Sequence, residues 1–222
     1  MSQRDRILER VRAAHGKRIA SAGEETHIAE GEPGLSRTAG LGASELIDLF
    51  EAKAREASAT VERLGNITDI PSAIASYLAA RNLPTKIVAA PSLNEIPWSS
   101  RPLLAVTYGV PGNDITVGVS NAFAAIAETG TLMLLSGAQD PTTLNFLPDS
   151  SVVAIPADRI VRSMEEAWSL MRSGLNRHSA IPRSVNFITG PSRSGDIEQI
   201  IQLGVHGPRR LHILIVGDFR PA

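Results

Sequence analysis

The sequence predicts an α/β fold in which a mostly parallel β-sheet carries helices on both faces. Apolar runs of strand length alternate with amphipathic helical patterns along most of the chain, which is the order expected of such a sheet. A composition of 43% hydrophobic and 20% charged residues is typical of a soluble globular chain. At 222 residues, folding buries roughly 70% of the surface of the unfolded chain, so the core needs no disulfide.

The chain divides into an N-terminal extension, residues 1–43, and an α/β domain, residues 44–222. Between Arg4 and Ala14 apolar residues recur at helical spacing among arginines, which predicts a basic amphipathic helix. That helix either packs on its own subunit or on a dimer mate, or it docks a partner. The stretch from Ser21 to Ala43 is rich in Gly, Glu and Ser without helical or strand period, and it predicts a flexible linker.

The α/β domain begins with two predicted helices. The first follows Ser44 as N-cap and runs to Gly65, because its apolar residues form one continuous stripe. The second begins near Asp69 and Pro71 and ends before Pro84. Further helices are expected near Ala122, from Met164 to Leu175 and from Ile197 to Leu203.

Short apolar runs predict the strands of the sheet. They are Lys86–Ala90, Leu103–Thr107, Ile115–Val119, Leu132–Leu135, Val152–Ile155, Val185–Thr189 and Leu211–Val216. Several of these runs are apolar at almost every position, which is typical of parallel strands that are buried on both faces.

Composition and missing motifs exclude several functions. With 22 basic and 23 acidic side chains and 4% aromatics, the chain lacks the basic, ring-bearing surface that binds nucleic acid. The absence of cysteine excludes iron–sulfur ligation and thiolate zinc sites. No metal site and no cofactor are expected, since no histidine has ligand spacing and neither a dinucleotide fingerprint nor a P-loop is present. Neither a signal segment nor an apolar stretch of membrane-spanning length is found, which predicts a cytoplasmic protein.

Glu128 is the first candidate for chemistry. It stands between two apolar stretches and is followed by Thr129, Gly130 and Thr131, which are candidate ligand-binding residues. Burial raises the pKa of a carboxyl group whereas the N–H groups of a turn lower it. Glu128 is therefore either a catalytic acid, base or nucleophile, or a structural group held by the turn.

The loop after the next strand begins with Ser136 and Gly137. Ligands of open α/β sheets bind beyond the carboxyl ends of strands, so this loop either lines a pocket or is a plain connection.

A second candidate segment follows the strand that ends at Thr189. Its polar and flexible residues are Gly190, Ser192, Arg193, Asp196 and Glu198. Hydroxyl groups, a guanidinium and a helix N-terminus would suit a phosphate or a carboxylate. Asp196 would equally serve as the N-cap of the following helix, and Arg193 as the partner of Glu198.

His206 lies in the glycine-rich turn before the last strand. It is either an acid or base, or a side chain that only hydrogen-bonds the backbone.

Several separate segments together resemble one known family. They are Ala127–Leu132, Asn145–Pro148, Pro156–Val161, Ile188–Arg193 with Asp196–Glu198, and Gly204–Pro208. In order and spacing the C-terminal half resembles the lactate utilisation protein C group of the LUD-domain family. The resemblance implies the fold shared by ribose-5-phosphate isomerase, glucosamine-6-phosphate deaminase and CoA transferases.

The same resemblance implies a role in the oxidation of L-lactate to pyruvate, with partner subunits that carry iron–sulfur clusters. The chain has no cysteine for such clusters, which agrees with that division of labour. In similar CoA transferases a glutamate beside a glycine turn accepts the acyl group, and Glu128 is the matching residue. Two positions depart from the family pattern: Ser151 stands where histidine is common, and Asn121 stands where threonine is usual.

Three functions follow as alternatives. The chain is a cytoplasmic component of a lactate-oxidising system, or a stand-alone enzyme that acts on a carboxylate, phosphate or acyl-CoA, or a non-catalytic scaffold. In the enzyme hypothesis Glu128 is the base or nucleophile and Arg193 anchors the ligand.

Overall fold

A six-stranded parallel sheet forms the centre of the molecule and confirms the predicted fold class. Its strands lie in the order β1-β12-β7-β4-β2-β3, and every neighbouring pair is parallel. The strands are β1 (Thr60–Asn66), β2 (Lys86–Ala89), β3 (Ala105–Tyr108), β4 (Val117–Asn121), β7 (Ser150–Pro156) and β12 (Arg210–Asp218).

The structure is a computed structural model that describes residues 38, 40–112, 115–174, 182–197 and 200–218. All of them belong to one unit, Ser36–Ala222. The N-terminal helix and most of the linker expected from the sequence lie outside the described residues. Of the helices in these ranges, none combines the length and apolar character that a bilayer crossing requires.

A smaller mixed sheet packs beside the parallel one. Its order is β8-β5-β6-β9, and only β5 and β8 pair in parallel. Its strands are β5 (Ala124–Ile126), β6 (Thr131–Leu135), β8 (Ile160–Val161) and β9 (Val185–Ile188). A hairpin of β10 (Arg193–Ile197) and β11 (Ile200–Leu203) completes the described strands.

The helices and the smaller sheet cover both faces of the parallel sheet. Helix α2 (Ile70–Ala80) packs on one face, against alternate residues of β7 and β12 such as Val152 and Leu214. Helix α1 (Ala43–Glu56) and the smaller sheet pack on the other face, against Val153 and Ile213. Helix α3 (Met164–Gly174) covers the far side of the smaller sheet. Because strand side chains alternate between faces, each central strand contributes to two separate cores.

The first predicted helix is wrong beyond Glu56. The backbone N–H of Ala59 donates to Ala54 O and that of Ser58 to Arg55 O, which is the hydrogen-bond pair of a Schellman motif. Ser58 takes the left-handed conformation with φ 70° that glycine usually supplies there. The N-terminus also differs from expectation, since Gly42 rather than Ser44 is the N-cap.

The predicted helices near Ala122 and from Ile197 to Leu203 are also wrong. Ala122 lies between β4 and β5, and Ala124 and Ala125 face opposite cores, as strand residues do. The second segment forms the β10–β11 hairpin, so Asp196 lies in a strand and is not a helix N-cap. The helix predicted from Met164 is confirmed.

Candidate functional site

A cleft at the amino ends of the parallel strands is lined by several arginines, and we call it the arginine cleft. It has a volume of about 370 Å³, within the range of small-molecule sites. Its lining residues are Ser58, Thr60, Tyr77, Arg81, Pro191, Arg193, Arg209, Arg210 and Leu211. Four guanidinium groups and no carboxylate line this space, so it favours an anionic ligand.

Thr60, Arg210 and Leu211 place the cleft at the amino ends of β1 and β12. Arg81 reaches it from the C-cap of α2, with its guanidinium carbon 4.9 Å from the centroid of the Tyr77 ring. Stacking on an aromatic face fixes a guanidinium without consuming its N–H donors. Those donors remain available to a ligand.

His212 forms the floor behind these residues. Its ring stacks on Tyr77 with 4.2 Å between centroids, and its Nδ1 lies 2.8 Å from Thr60 Oγ1. Burial, with the nearby positive charges of Arg81 and Arg55, lowers the pKa of His212 to about 4. The ring is therefore neutral at pH 7, and the 3.7 Å approach of its Nε2 to Glu62 is not an ion pair under those conditions.

The hydroxyl group of Tyr77 and the Nε2 atom of His212 are two buried polar groups in this region that lack a hydrogen-bond partner among the described residues. Burial raises the pKa of Tyr77 although the charges of Arg81 and Arg210 oppose that effect. Orphaned polar groups such as these two cost stability unless a water or ligand satisfies them.

Arg193 is the one predicted ligand-binding residue that lines the cleft. Its guanidinium donates to Ala57 O at 3.4 Å and to Ser58 Oγ. The left-handed end of α1 therefore positions Arg193. The sequence alternative in which Arg193 pairs with Glu198 involves a residue outside the described ranges.

The Glu128 turn and the Gly190 turn both lie against the last turn of α1. A Cβ atom on Gly130 would approach Ala54 N to 2.4 Å, and one on Gly190 would approach Ala57 O to 2.2 Å. Both glycines also have positive φ, of 68° and 78°. The absence of a side chain at these two positions lets both turns touch the helix.

Three threonine hydroxyls connect the same turns. Thr129 Oγ1 donates to Thr131 Oγ1 at 2.8 Å, and Thr131 Oγ1 lies 2.6 Å from Thr189 Oγ1. Glu128 itself is half-buried, and its backbone N–H donates to Arg162 O. Its carboxylate does not line the arginine cleft, and its catalytic role stays a prediction.

Ser192 and His206 belong to a turn that closes over the start of β10. The backbone N–H of His206 donates to Ser192 Oγ at 3.2 Å, and Gly204 N–H donates to Ser192 O. The His206 side chain is exposed. Ser192 thus organises this turn through its hydrogen bonds.

Ser136 and Gly137 lie away from the other predicted site residues, at the opposite end of β6 from Thr131. Ser136 Oγ accepts a hydrogen bond from the backbone of Ser184, and both residues line a shallow cleft with Arg183. The predicted ligand-binding residues are thus divided between two ends of the smaller sheet.

The LUD-domain family model matches residues 112–216. Residues 112–216, just under half of the chain, are thus similar to a LUD domain. This confirms the family resemblance seen in the sequence, and the segment that contains Glu128, Gly190 and Arg193 lies inside the match. Part of the arginine cleft lies outside it, since Ser58, Thr60, Tyr77 and Arg81 precede residue 112.

Curated relatives are similar to this chain over a limited region. Lactate utilization protein C of Geobacillus thermodenitrificans (strain NG80-2) is 34% identical over 102 residues, which are 46% of this chain and 42% of that protein. The protein of the same name from Bacillus subtilis (strain 168) is 33% identical over the same proportions. The chain thus matches less than half the length of these relatives.

A solved structure shows the same fold. The crystal structure of a DUF162 family protein from Deinococcus radiodurans superposes with a TM-score of 0.58 and 23% sequence identity. The superposition covers 80% of this chain and 99% of the Deinococcus radiodurans chain.

Sequence reasoning missed most of the arginine cleft. The predicted first helix includes Thr60, and no sequence pattern marks Arg81 or Arg210 as ligand-binding residues. The one available signal was His212, a polar residue inside the otherwise apolar run of β12. The two departures from the family pattern lie elsewhere: Ser151 is buried in β7 with no partner for its hydroxyl, and Asn121 ends β4.

Proposed function

We propose that this chain is a cytoplasmic component of lactate utilisation that acts with partner subunits carrying iron–sulfur clusters. The similarity to proteins named Lactate utilization protein C supports this role. The chain has no cysteine with which to hold such clusters itself.

Deletion of the coding sequence tests this role in the source organism. We expect slower growth on L-lactate, normal growth on pyruvate, and co-purification of cluster-bearing proteins from lactate-grown cells. Unimpaired growth on lactate, together with isolation of the chain alone, would contradict the proposal.

The contribution of the chain itself is to bind a small carboxylate or phosphate in the arginine cleft. The observation that carries this proposal is the convergence of Arg81, Arg193, Arg209 and Arg210 on one space without an acidic lining residue. Because His212 beneath them is neutral at pH 7, the positive charge of the cleft comes from the arginines.

Thermal unfolding in the presence of phosphate, pyruvate, L-lactate and CoA tests the arginine cleft, because any ligand of the native state raises the melting temperature. We expect stabilisation by at least one anion at low ionic strength, since salt screens these charges. Arg81→Gln and Arg193→Gln should weaken that anion about tenfold or more, as expected for loss of a charge-assisted hydrogen bond.

Arg101→Gln is the matched control, because Arg101 is exposed and hydrogen-bonds Ser72 away from the cleft. No stabilisation by any anion, or an equal loss of affinity in the control variant, would refute the arginine cleft as a binding site.

A catalytic role for Glu128 is a second candidate. Its half-buried carboxylate forms no hydrogen bond or ion pair with another described residue, which leaves it free to act as base or acyl-accepting nucleophile. Glu128→Gln should abolish turnover of acyl-CoA or carboxylate substrates without lowering the melting temperature. Equal turnover by this variant would assign Glu128 a structural role.

A further inference from the structure

We infer that a second cavity, at the opposite edge of the parallel sheet from the arginine cleft, binds a small 2-hydroxy acid. We call it the edge cavity; its volume is about 140 Å³. Its lining residues are Asn121, Ala122, Phe123, Leu135, Asp140, Pro156 and Arg159. In this assignment Arg159 binds the ligand carboxylate, Asp140 accepts a hydrogen bond from its hydroxyl, and Phe123 with Leu135 contacts its carbon chain.

The edge cavity lies where open α/β sheets place their ligands. Asn121 ends β4 and Pro156 ends β7, so the cavity opens beyond the carboxyl ends of two adjacent parallel strands. After β2 the chain continues to β3 on one side, whereas after β4 the next strand of the sheet is β7 on the other side. This reversal between β2 and β4 is a topological switch point, and the edge cavity lies next to it, on the β7 side of β4.

The acidic side of the cavity has unused hydrogen-bonding capacity. Ser92 Oγ lies 2.6 Å from Asp140 Oδ1 and 3.1 Å from Asn121 Oδ1. Burial raises the pKa of Asp140, although the hydrogen bond from Ser92 opposes the shift. A carboxylate has about four acceptor positions, and the Asp140 side chain forms no ion pair with a described residue. A hydroxyl group of a ligand would fill one of these positions.

The basic side of the cavity is Arg159. Its guanidinium carbon lies 5.6 Å from the centroid of the Phe123 ring, which holds the side chain over an aromatic face. No described carboxylate lies within ion-pair distance of Arg159. A carboxylate at this end and a donor at the Asp140 end are therefore the groups that the cavity selects.

The size of the cavity restricts the ligand further. A volume of about 140 Å³ is well below the roughly 300–1,000 Å³ of sites for drug-sized molecules. The ligand is therefore a molecule of a few carbon atoms. The choice of L-lactate as the probe rests on the proposed role in lactate utilisation.

Titration of the full chain with L-lactate, followed by ligand-observed NMR, tests this inference. Propionate lacks the hydroxyl and pyruvate carries a carbonyl that cannot donate to Asp140. We expect both to bind about tenfold or more weakly than L-lactate, which reflects loss of a hydrogen bond to a charged group. Equal binding of all three acids would overturn the assignment of Asp140.

Two variants with matched controls locate the binding. Asp140→Ala and Arg159→Gln should each weaken L-lactate about tenfold or more, whereas Asp158→Ala and Arg172→Gln, whose side chains lie outside the cavity, should not. If Asp140→Ala fails to fold, the half-exposed Arg159 decides the result. Wild-type affinity in Arg159→Gln would overturn the inference.

The growth experiment separates this inference from the proposed function. A deletion strain that grows slowly on lactate, combined with a purified chain that does not bind L-lactate, would overturn the edge-cavity ligand and leave the proposed role supported. Normal growth of the deletion strain, combined with specific L-lactate binding by the purified chain, would contradict the proposed role and support the edge-cavity ligand.

Discussion

His212 shows how a single buried side chain links the core to the surface cleft. Only 5% of its surface is exposed, and on its face of β12 it lies between Arg210 of the cleft and Leu214 of the core. Stacking on Tyr77 and the contact with Thr60 accommodate the neutral ring. A protonated ring would stand beside Arg81, and the carboxylate that its Nε2 approaches, that of Glu62, is about half exposed.

The stability of the protein should fall as the pH falls from about 6.5 to 5. In this range the unfolded chain binds a proton at His212 and the folded chain does not, because its folded pKa is about 4. The difference amounts to about 2 kcal/mol at pH 5. Urea unfolding at pH 7, 6 and 5 measures it.

His212→Gln should be less stable than the wild type at pH 7 but should show a flatter pH profile over this range. Glu51 titrates below this pH range. Burial is the largest single effect on its carboxyl pKa and raises it, but Arg55 and Arg63 together lower the pKa below its ordinary value. Identical pH profiles in the two proteins would contradict the assignment to His212.

At the scale of elements, the two glycine turns determine how the smaller sheet meets α1. Gly190→Ala should destabilise the protein by about 2 kcal/mol or more, because it adds left-handed strain and drives a Cβ atom into the backbone of Ala57. Gly174→Ala is the control, since that glycine ends α3 with open space around it. Equal unfolding midpoints for the two variants would show that the close approach is not needed.

The elements that the sequence predicted correctly are those whose local pattern agrees with their final surroundings. Helix α2 and helix α3 have a helical period, strand β7 is a short continuous apolar run, and the ends of all three coincide with Pro, Gly or polar residues. The run from Ala57 to Leu64 continues the helical stripe of α1, but Ser58 reverses the chain through a conformation that serine rarely takes. Composition gives no sign of that reversal.

Tertiary contacts explain the remaining errors. Ala124–Ile126 has good helix formers, yet it is a strand because its two faces pack on different cores. The same limit applies to the candidate sites, because Arg81 and Arg193 are far apart in the chain. Their meeting depends on the order of strands in the sheet, which no local pattern encodes.

At the scale of the whole molecule, the arginine cleft and the edge cavity lie at opposite ends of the same strands. Ser150, at the start of β7, accepts a hydrogen bond from Arg210 of the arginine cleft, and Pro156, at its end, lines the edge cavity. Six residue steps of about 3.3 Å separate these ends by roughly 20 Å. The strand between them is buried throughout.

Because this strand is rigid, we expect ligand binding in the arginine cleft and ligand binding in the edge cavity to be thermodynamically independent. A fully buried strand with parallel neighbours on both sides offers no second arrangement through which occupancy of one end could be communicated to the other. We expect the binding free energies of phosphate at one end and L-lactate at the other to be additive, and calorimetric titration of each in saturating amounts of the other measures this. A change in either affinity would reveal a rearrangement of the strands themselves.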